Sequence, residues 1–244
     1  MRAYKIFFVG LAVLLMAACG AEPITPPAST PLPAVPVQLD PLVEWLRPAI
    51  QTCSQQIPER NWIVLSEDTQ LAAEFETAVH VYSNLDTRAS QNTFLITSDA
   101  LQVVTNPALS LGSLTFSELQ AVFSGKINQW NEIAENLPDA EIQVWLYPQS
   151  MSIAENFNSW SGLSPQSLSP LAYLAPHPLQ MRNAIAENPF AIGILPTRWM
   201  NAQVVFVNIE GDQNIREFPV LAELTAPDPY VREWLFCIQN QVRQ

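Results

Sequence analysis

The chain has 244 residues, of which 48% are hydrophobic and 14% are charged, so it can bury a core and is not disordered along its whole length. Its formal net charge of −12 repels phosphate backbones and anionic lipid, which argues against nucleic-acid binding. Glycine occurs only 7 times and never in the patterns G-x-G-x-x-G or G-x-x-x-x-G-K. The common Gly-rich phosphate loops are therefore excluded.

The N-terminal residues have the pattern of an export signal. Arg2 and Lys5 precede an apolar run over residues 6–18, which is too short to span a bilayer as a helix. The run ends in Ala-Ala-Cys at Cys19, and this sequence resembles the lipobox of bacterial lipoproteins, in which the Cys is lipidated and begins the mature chain. We predict a signal peptide over residues 1–18 and a lipidated Cys19 that anchors the protein on the extracytoplasmic side of the cell membrane. An ordinary signal peptide with an incidental Cys is the alternative.

A proline-rich stretch follows the predicted signal. Residues 20–39 contain six prolines among small and polar residues, and proline disrupts both helices and sheet pairing. We predict an extended stalk over residues 19–39 and a folded part that begins near Asp40. Asp40 and Pro41 supply an N-cap and a first-turn proline for a helix that reaches Cys53 and is kinked at Pro48.

Short apolar strands alternate with amphipathic helices along the rest of the chain. The predicted strands cover residues 62–66, 80–83, 101–105, 142–147, 190–195 and 204–209. The predicted helices begin at capping boxes at Thr115 and Ser152, span residues 179–187, and run from Asp228 to the C-terminus. This alternation indicates an α/β fold with a mostly parallel sheet.

Two cysteines remain when Cys19 is lipidated. Cys53 and Cys237 lie on or beside the apolar stripes of predicted helices at the two ends of the folded chain. An even pair in an oxidising compartment favours a disulfide bond, and two buried free thiols are the alternative. The bond would bring both ends of the folded chain into one lobe, with the middle of the chain forming another.

Three motifs in the middle of the chain carry a family resemblance. Residues 114–130 read LTFSELQAVFSGKINQW, residues 98–107 read SDALQVVTNP, and residues 189–195 read PFAIGIL. In this order they resemble the phosphate-binding family of solute-binding proteins of ABC transporters. The resemblance implies a two-lobed type II periplasmic-binding-protein fold with two crossover segments. Residues 38–103 and 199–244 would form lobe 1, and residues 104–198 would form lobe 2.

The resemblance also identifies candidate ligand-binding residues. Family members bind phosphate through hydroxyl groups, helix N-terminal N–H groups, an Arg and an Asp. Their R-x-x-G-S-G-T element corresponds here to residues 147–153, YPQSMSI, which lack the Arg, both glycines and the Thr. Ser150 and Ser152 remain as candidate ligands, although Ser152 could instead be a helix N-cap. Asp40 stands where the family has a Ser/Thr-rich loop.

The leading hypothesis is a non-catalytic, monomeric, lipid-anchored protein that presents a small anionic solute, such as phosphate, to an ABC permease. The alternative is a surface interaction or sensory lipoprotein that retains the fold without a ligand. A secreted hydrolase is a third possibility, and it would require a Ser or a carboxylate within hydrogen-bond reach of His80 or His177. The spacing of the His and Cys residues predicts no metal site, and no cofactor is expected.

Overall fold

The computed structural model describes residues 32–65, 75–83, 91–211 and 216–243. The predicted signal peptide, Cys19 and the first part of the predicted stalk lie outside the described residues. The strands are β1 (Ala34–Leu39), β2 (Asn61–Leu65), β3 (Val79–Ser83), β4 (Thr93–Thr105), β5 (Ser113–Thr115), β6 (Gln143–Leu146), β7 (Tyr173–Leu174), β8 (Ala191–Pro196), β9 (Val205–Phe206), β10 (Asn208–Glu210) and β11 (Arg216–Leu224). The helices are α1 (Arg47–Gln56), α2 (Phe116–Phe123), α3 (Ser152–Ser161), α4 (Pro178–Glu187) and α5 (Pro229–Val242).

The main sheet contains strands from nearly the whole described chain. Its order is β2-β1-β3-β11-β4-β8-β6-β7, with β9 also paired to β4. The pairs at both ends of the sheet are parallel, whereas β11 and β4 introduce antiparallel pairs in the middle. Strands β5 and β10 form a separate parallel pair. The α/β prediction is therefore confirmed, with a sheet that is mixed at its centre.

Strand β4 joins the two halves of this sheet. Its first part pairs with β11 from Thr93 to Leu101, and its last part pairs with β8 from Leu101 to Thr105. The 3₁₀ helix Thr197–Trp199, which follows β8, contacts the other half through the Trp199 indole N–H and the Leu42 carbonyl. Strands β9 and β10 then pair with the end of β4 and with β5, and β11 is the next strand that pairs with β3. By their contacts, residues Leu32–Gln244 form one compact unit. We keep as a proposal the division into lobes at residues 103 and 199, which lie near the end of β4 and in this 3₁₀ helix.

The prediction of a stalk that reaches residue 39 is wrong at its C-terminal end. Residues Ala34–Leu39 form β1, which lies between β2 and β3. Val35, Val37 and Leu39 are fully buried in the core. The ordered fold therefore begins before Asp40, within the proline-rich stretch.

Pro36 lies inside β1 without disrupting the sheet, because the pairing of β1 with β3 begins only after it, at Val37. The carbonyl oxygen of Pro33 accepts from the Asn61 N–H of β2, and the Asp40 N–H donates to the Val81 carbonyl of β3. Alternation along the strand therefore turns the nitrogen of Pro36 toward β3. Pairing with β3 begins only one residue later, at Val37, so the missing N–H removes no ladder hydrogen bond.

The two ends of the described fold are joined covalently. Cys53 of α1 and Cys237 of α5 form a disulfide, with Cα atoms 5.8 Å apart across a sequence separation of 184. Trp234 of α5 also stacks on Trp62 of β2 with ring centroids 4.7 Å apart. The predicted bond is therefore present, and both ends lie in the same half of the sheet. The predicted kink at Pro48 is also found, since a 3₁₀ helix, Pro41–Leu46, precedes α1.

The motif shared with the phosphate-binding family builds the fold. Thr115 and Glu118 form the predicted capping box of α2, and Gly125 takes a positive φ of 74° just after that helix. A Cβ at Gly125 would come within 2.9 Å of the Ser169 hydroxyl oxygen. Trp130 is fully buried and its indole N–H donates to the Phe190 carbonyl. These residues shape the chain around α2 and do not bind a ligand in the cleft described below.

Two other predicted strands have different bounds in the structure. Strand β4 begins at Thr93, whereas its predicted start is Leu101. The sequence does not predict the first part of the strand, because Ser98 and Asp99 interrupt the apolar pattern. The predicted strand over residues 204–209 is two strands, β9 and β10, which belong to different sheets. Within the ranges that the structure describes, we find no helix with the length and apolar character that a membrane span requires.

Candidate functional site

A cleft of about 490 Å³ lies where the parallel strands of the two sheet halves end. Asp40 follows β1, and Tyr82 and Ser83 end β3. Pro148 follows β6 and Pro176 follows β7, so all five residues lie at the carboxyl ends of their strands. Open α/β sheets bind ligands at the carboxyl ends of their strands, which makes this cleft the candidate site.

Both serines predicted from the family resemblance line this cleft. Ser150 lies in a turn in which the Met151 N–H donates to the Pro148 carbonyl oxygen, with an N–O distance of 3.0 Å. Ser152 is the first residue of α3, and its hydroxyl donates to the carbonyl oxygen of Ser83 at 3.1 Å. Met151 is the N-cap of α3, so the predicted capping box at Ser152 is wrong. The hydroxyl of Ser152 bonds across the cleft instead of to its own helix.

The N-terminus of α3 has no side-chain cap. Thr115 caps α2, His177 caps α4 and Asp228 caps α5, each by accepting from a backbone N–H. The first N–H groups of a helix have no intrahelical acceptor, and together with the helix dipole they attract anions. The first turn of α3 therefore presents hydrogen-bond donors beside the cleft.

Ser83 supplies a second polar group at the same place. Ser83 is one of the residues that line the cleft and only 2% of it is exposed, yet its hydroxyl has no hydrogen-bond partner among the residues described. A buried hydroxyl without a partner is unfavourable by about 1–3 kcal/mol. A ligand that accepts from Ser83 would relieve this penalty.

The opposite wall of the cleft contains an aromatic pair. His80 and Tyr82 are two residues apart on β3, so their side chains lie on the same face of the strand. Their rings stack with centroids 4.9 Å apart, and both residues line the cleft. Burial lowers the pKa of His80, although Glu223 opposes this shift. Burial and Glu223 both raise the pKa of Tyr82. Both rings are therefore neutral at pH 7.

The charge of the cleft comes from Asp40. Its carboxylate caps the 3₁₀ helix Pro41–Leu46 by accepting from the Leu42 N–H at 2.8 Å. The resemblance predicts a Ser/Thr-rich loop just before this 3₁₀ helix. In this protein the carboxylate of Asp40 caps the start of the helix instead. Among the cleft-lining residues that the structure describes, none is Lys or Arg. The donors here are neutral hydroxyl and N–H groups.

A second groove of about 540 Å³ is less suited to a ligand. It is lined in part by Gly125, Gln143 and Phe190, and it shares no described lining residue with the cleft. Gln143 begins β6, and Phe190 directly precedes β8. The groove thus lies at the amino ends of these strands, opposite to the usual position of a ligand site in an open α/β sheet.

The histidines do not form a hydrolytic site in the described part of the chain. The Nδ1 atom of His177 accepts from the Leu179 N–H at 3.0 Å, which caps α4. Its ring packs edge-on against Trp199. His80 stacks on Tyr82, and neither histidine has a described hydrogen bond to a serine or a carboxylate.

Sequence reasoning identified Ser150, Ser152 and Asp40 but assigned no role to Ser83 or Tyr82. The last two residues end a short strand, and nothing near them in the sequence resembles a binding motif. The available signal was positional, because residues at the carboxyl ends of predicted parallel strands gather at one edge of a sheet.

The mixed α/β sheet and the position of the cleft define a fold of the type II periplasmic-binding-protein class. The chain belongs to the PBP superfamily, whose domain matches residues 69–214, more than half of the sequence. No curated protein sequence matches the chain.

Solved structures share this fold at low sequence identity. One is described as a phosphate ABC transporter substrate-binding protein with bound phosphate from Clostridium perfringens, at 14% identity and a TM-score of 0.70, covering 84% of this chain and 92% of that chain. Another is an ABC-type phosphate transport receptor from Vibrio cholerae, at 18% identity and a TM-score of 0.60, covering 86% and 95%. A third is a sulfate-bound mutant regulatory domain of OxyR2 from Vibrio vulnificus, at 12% identity and a TM-score of 0.53, covering 85% and 95%.

Proposed function

We propose that the protein is a lipid-anchored, monomeric, extracytoplasmic solute-binding protein that carries a small oxyanion to an ABC permease. The supporting observation is the N-terminus of α3, which has no side-chain cap, in the same cleft as Ser83, whose buried hydroxyl has no partner among the described residues. Such a site donates hydrogen bonds to an anion, and these bonds must outweigh the repulsion of the Asp40 carboxylate. Ser150 and Ser152 add further hydroxyl groups. The likeness to proteins that hold phosphate and sulfate supports the same class of ligand.

Binding of oxyanions by the purified folded chain tests this proposal. We expect isothermal titration calorimetry to detect at least one of phosphate, sulfate, acetate and benzoate. Ser83→Ala is expected to weaken that binding about tenfold, as for the loss of a hydrogen bond to a charged group. The same substitution should leave the free energy of unfolding unchanged or slightly higher, because it removes a buried hydroxyl that has no partner.

A serine elsewhere provides the control for this experiment. The hydroxyl of Ser167 donates to the Ser164 carbonyl on the exposed surface, so Ser167→Ala should leave oxyanion affinity unchanged. Ser150→Ala should weaken binding, as Ser83→Ala does. If none of the four oxyanions binds to the wild-type protein, the proposed function is wrong.

The lipid anchor requires a separate experiment. Bacterial cells that express the full chain in labelled palmitate should incorporate label into the protein, and Cys19→Ser should abolish incorporation, because the thioether is formed at this Cys. A Cys53→Ser, Cys237→Ser double variant should remain labelled. Label that persists in Cys19→Ser would contradict the proposed anchor.

One observation favours the ligand-free alternative. The hydroxyl of Ser152 already bonds to the Ser83 carbonyl, directly between the two walls of the cleft. The fold of a regulatory domain is also similar to this one. A surface interaction or sensory lipoprotein would need no solute, and the absence of any oxyanion binding in the titrations would support that function.

A further inference from the structure

The cleft is large for an inorganic ion. At about 30 Å³ for each water-sized atom, the four oxygen atoms of phosphate or sulfate would fill about a quarter of its 490 Å³. Cavities of about 300–1,000 Å³ typically hold organic ligands. The volume therefore leaves room for a molecular body attached to the oxyanion.

The two walls of the cleft differ in chemistry. On the α3 side, the helix N-terminus and Ser150 supply hydrogen-bond donors, whereas the donor Ser83 belongs to the β3 side. The stacked rings of His80 and Tyr82 lie on the β3 side and are neutral at pH 7. Neutral rings pack well against flat or apolar groups, and two aromatic rings gain more from their contact than from the burial of their area alone.

Apolar residues also lie on the other side of the cleft, which the ends of β6 and β7 and the start of α3 form. Pro148, Met151 and Pro176 line the cleft together with the aromatic pair. Methionine adapts its shape and makes favourable contacts with aromatic groups. A dry site for inorganic phosphate would need polar groups on every side, because such an ion has no apolar surface.

We infer that the cleft binds an organic oxyanion, in which a carboxylate or phosphate group lies at the N-terminus of α3 and a flat, apolar ring packs against Tyr82 and His80. This inference rests on the proposed function and specifies its ligand. The oxyanion accepts from the first N–H groups of α3 and from the hydroxyls of Ser150 and, across the cleft, Ser83, while the ring packs on the β3 side. The ring occupies the volume that an inorganic ion would leave to water.

Matched pairs of probes test the ring and the anion separately. Benzoate is compared with acetate, and phenyl phosphate with inorganic phosphate, by calorimetry on the purified folded chain. We expect each ring compound to bind at least tenfold more tightly than its partner without a ring. The better of the two ring compounds identifies whether the oxyanion is a carboxylate or a phosphate group.

A substitution in the ring wall gives the second measurement. Tyr82→Leu should reduce the preference for the ring compounds at least fivefold and leave acetate and phosphate affinities unchanged. Tyr173, which lines the other groove, provides the control, and Tyr173→Leu should preserve the preference. Thermal unfolding verifies that both variants are folded.

The outcomes separate this inference from the proposed function. Equal affinities within each pair, measured on the wild-type protein alone, would overturn the inference and leave oxyanion binding intact. If none of these four probes binds, the inference is wrong, and if sulfate does not bind either, the proposed function is wrong as well. A preference that survives in Tyr82→Leu to the same extent as in Tyr173→Leu would refute the assigned position of the ring.

Discussion

Removal of the Cys53–Cys237 disulfide is expected to lower the free energy of unfolding by about 2–5 kcal/mol. The bond closes a loop of 184 residues, so it excludes many extended conformations from the unfolded chain. It also joins α1 to α5, the two ends of the described fold. Urea denaturation of the wild-type protein and of a Cys53→Ala, Cys237→Ala double variant measures this difference.

Reduction by dithiothreitol offers an independent measure of the same bond. The reduced wild-type protein should unfold at a urea concentration close to that of the double variant, and dithiothreitol should not affect the variant. A loss of less than about 1 kcal/mol in both experiments would show that the bond adds little to the packing of α1 on α5. Residual structure in the unfolded chain would be the physical reason for such a result.

Features that depend on neighbouring residues could be predicted from the sequence. The capping box of α2 is closed by hydrogen bonds between Thr115 and Glu118, three residues apart. Asp228 likewise accepts from the Tyr230 and Val231 N–H groups at the start of α5. All partners in these interactions lie within one turn, so a short segment of sequence contains the whole interaction.

Features that depend on distant partners could not be predicted in this way. Ser152 has the spacing of a helix cap, but its hydroxyl bonds to the Ser83 carbonyl, 69 residues earlier. Pro36 argues against a strand, yet its position one residue before the pairing of β1 with β3 makes it harmless. In both cases the competing local and distant interactions can be compared only when the strand order is known.

The candidate site illustrates the same limit. Ser150 and Ser152 were found through one motif position, whereas Ser83 and Tyr82 come from β3, on the other wall of the cleft. The sequence resemblance covers the middle of the chain and includes neither of the last two residues. The walls meet only because β4 connects the two halves of the sheet.

Asp99 is expected to make the protein less stable as pH rises from about 4 to about 6. It lies on β4 beside the 3₁₀ helix Thr197–Trp199 and is 5% exposed. Burial raises its pKa to about 6, although the N–H groups of Ala100 and Arg198 and the charge of Arg198 act in the opposite direction. The Oδ2 atom has no hydrogen-bond partner among the described residues.

The sign of this effect follows from proton uptake. Below about pH 4 the Asp99 carboxyl is protonated in both the folded and unfolded states and contributes nothing. Between its unfolded pKa of 3.8 and its folded pKa of about 6, the folded state keeps a proton that the unfolded state loses, so stability falls as pH rises. Above pH 6 the penalty is complete, at about 3 kcal/mol for a shift of about two pKa units.

Asp99→Asn should remove most of this penalty. We expect the free energy of unfolding to rise by about 1–3 kcal/mol at pH 7.5 and to change little at pH 4, as measured by urea denaturation across this range. The amide oxygen can still accept from the Ala100 and Arg198 N–H groups, which donate to Oδ1 at 2.8 and 3.3 Å. The gain should stay below the full penalty, since the amide NH₂ takes the place of an oxygen that has no described partner.

A matched control isolates the buried charge. Asp139 is exposed, and its carboxylate accepts from the Asn131 side chain at 3.1 Å. Asp139→Asn should change stability by less than about 0.5 kcal/mol at any pH in the range. Parallel pH profiles for the wild-type protein and Asp99→Asn would show that Asp99 is not the titrating group. Because Asp99 joins β4 to the segment that follows β8, a confirmed effect would place a partly compensated buried charge on the strand that connects the two halves of the sheet.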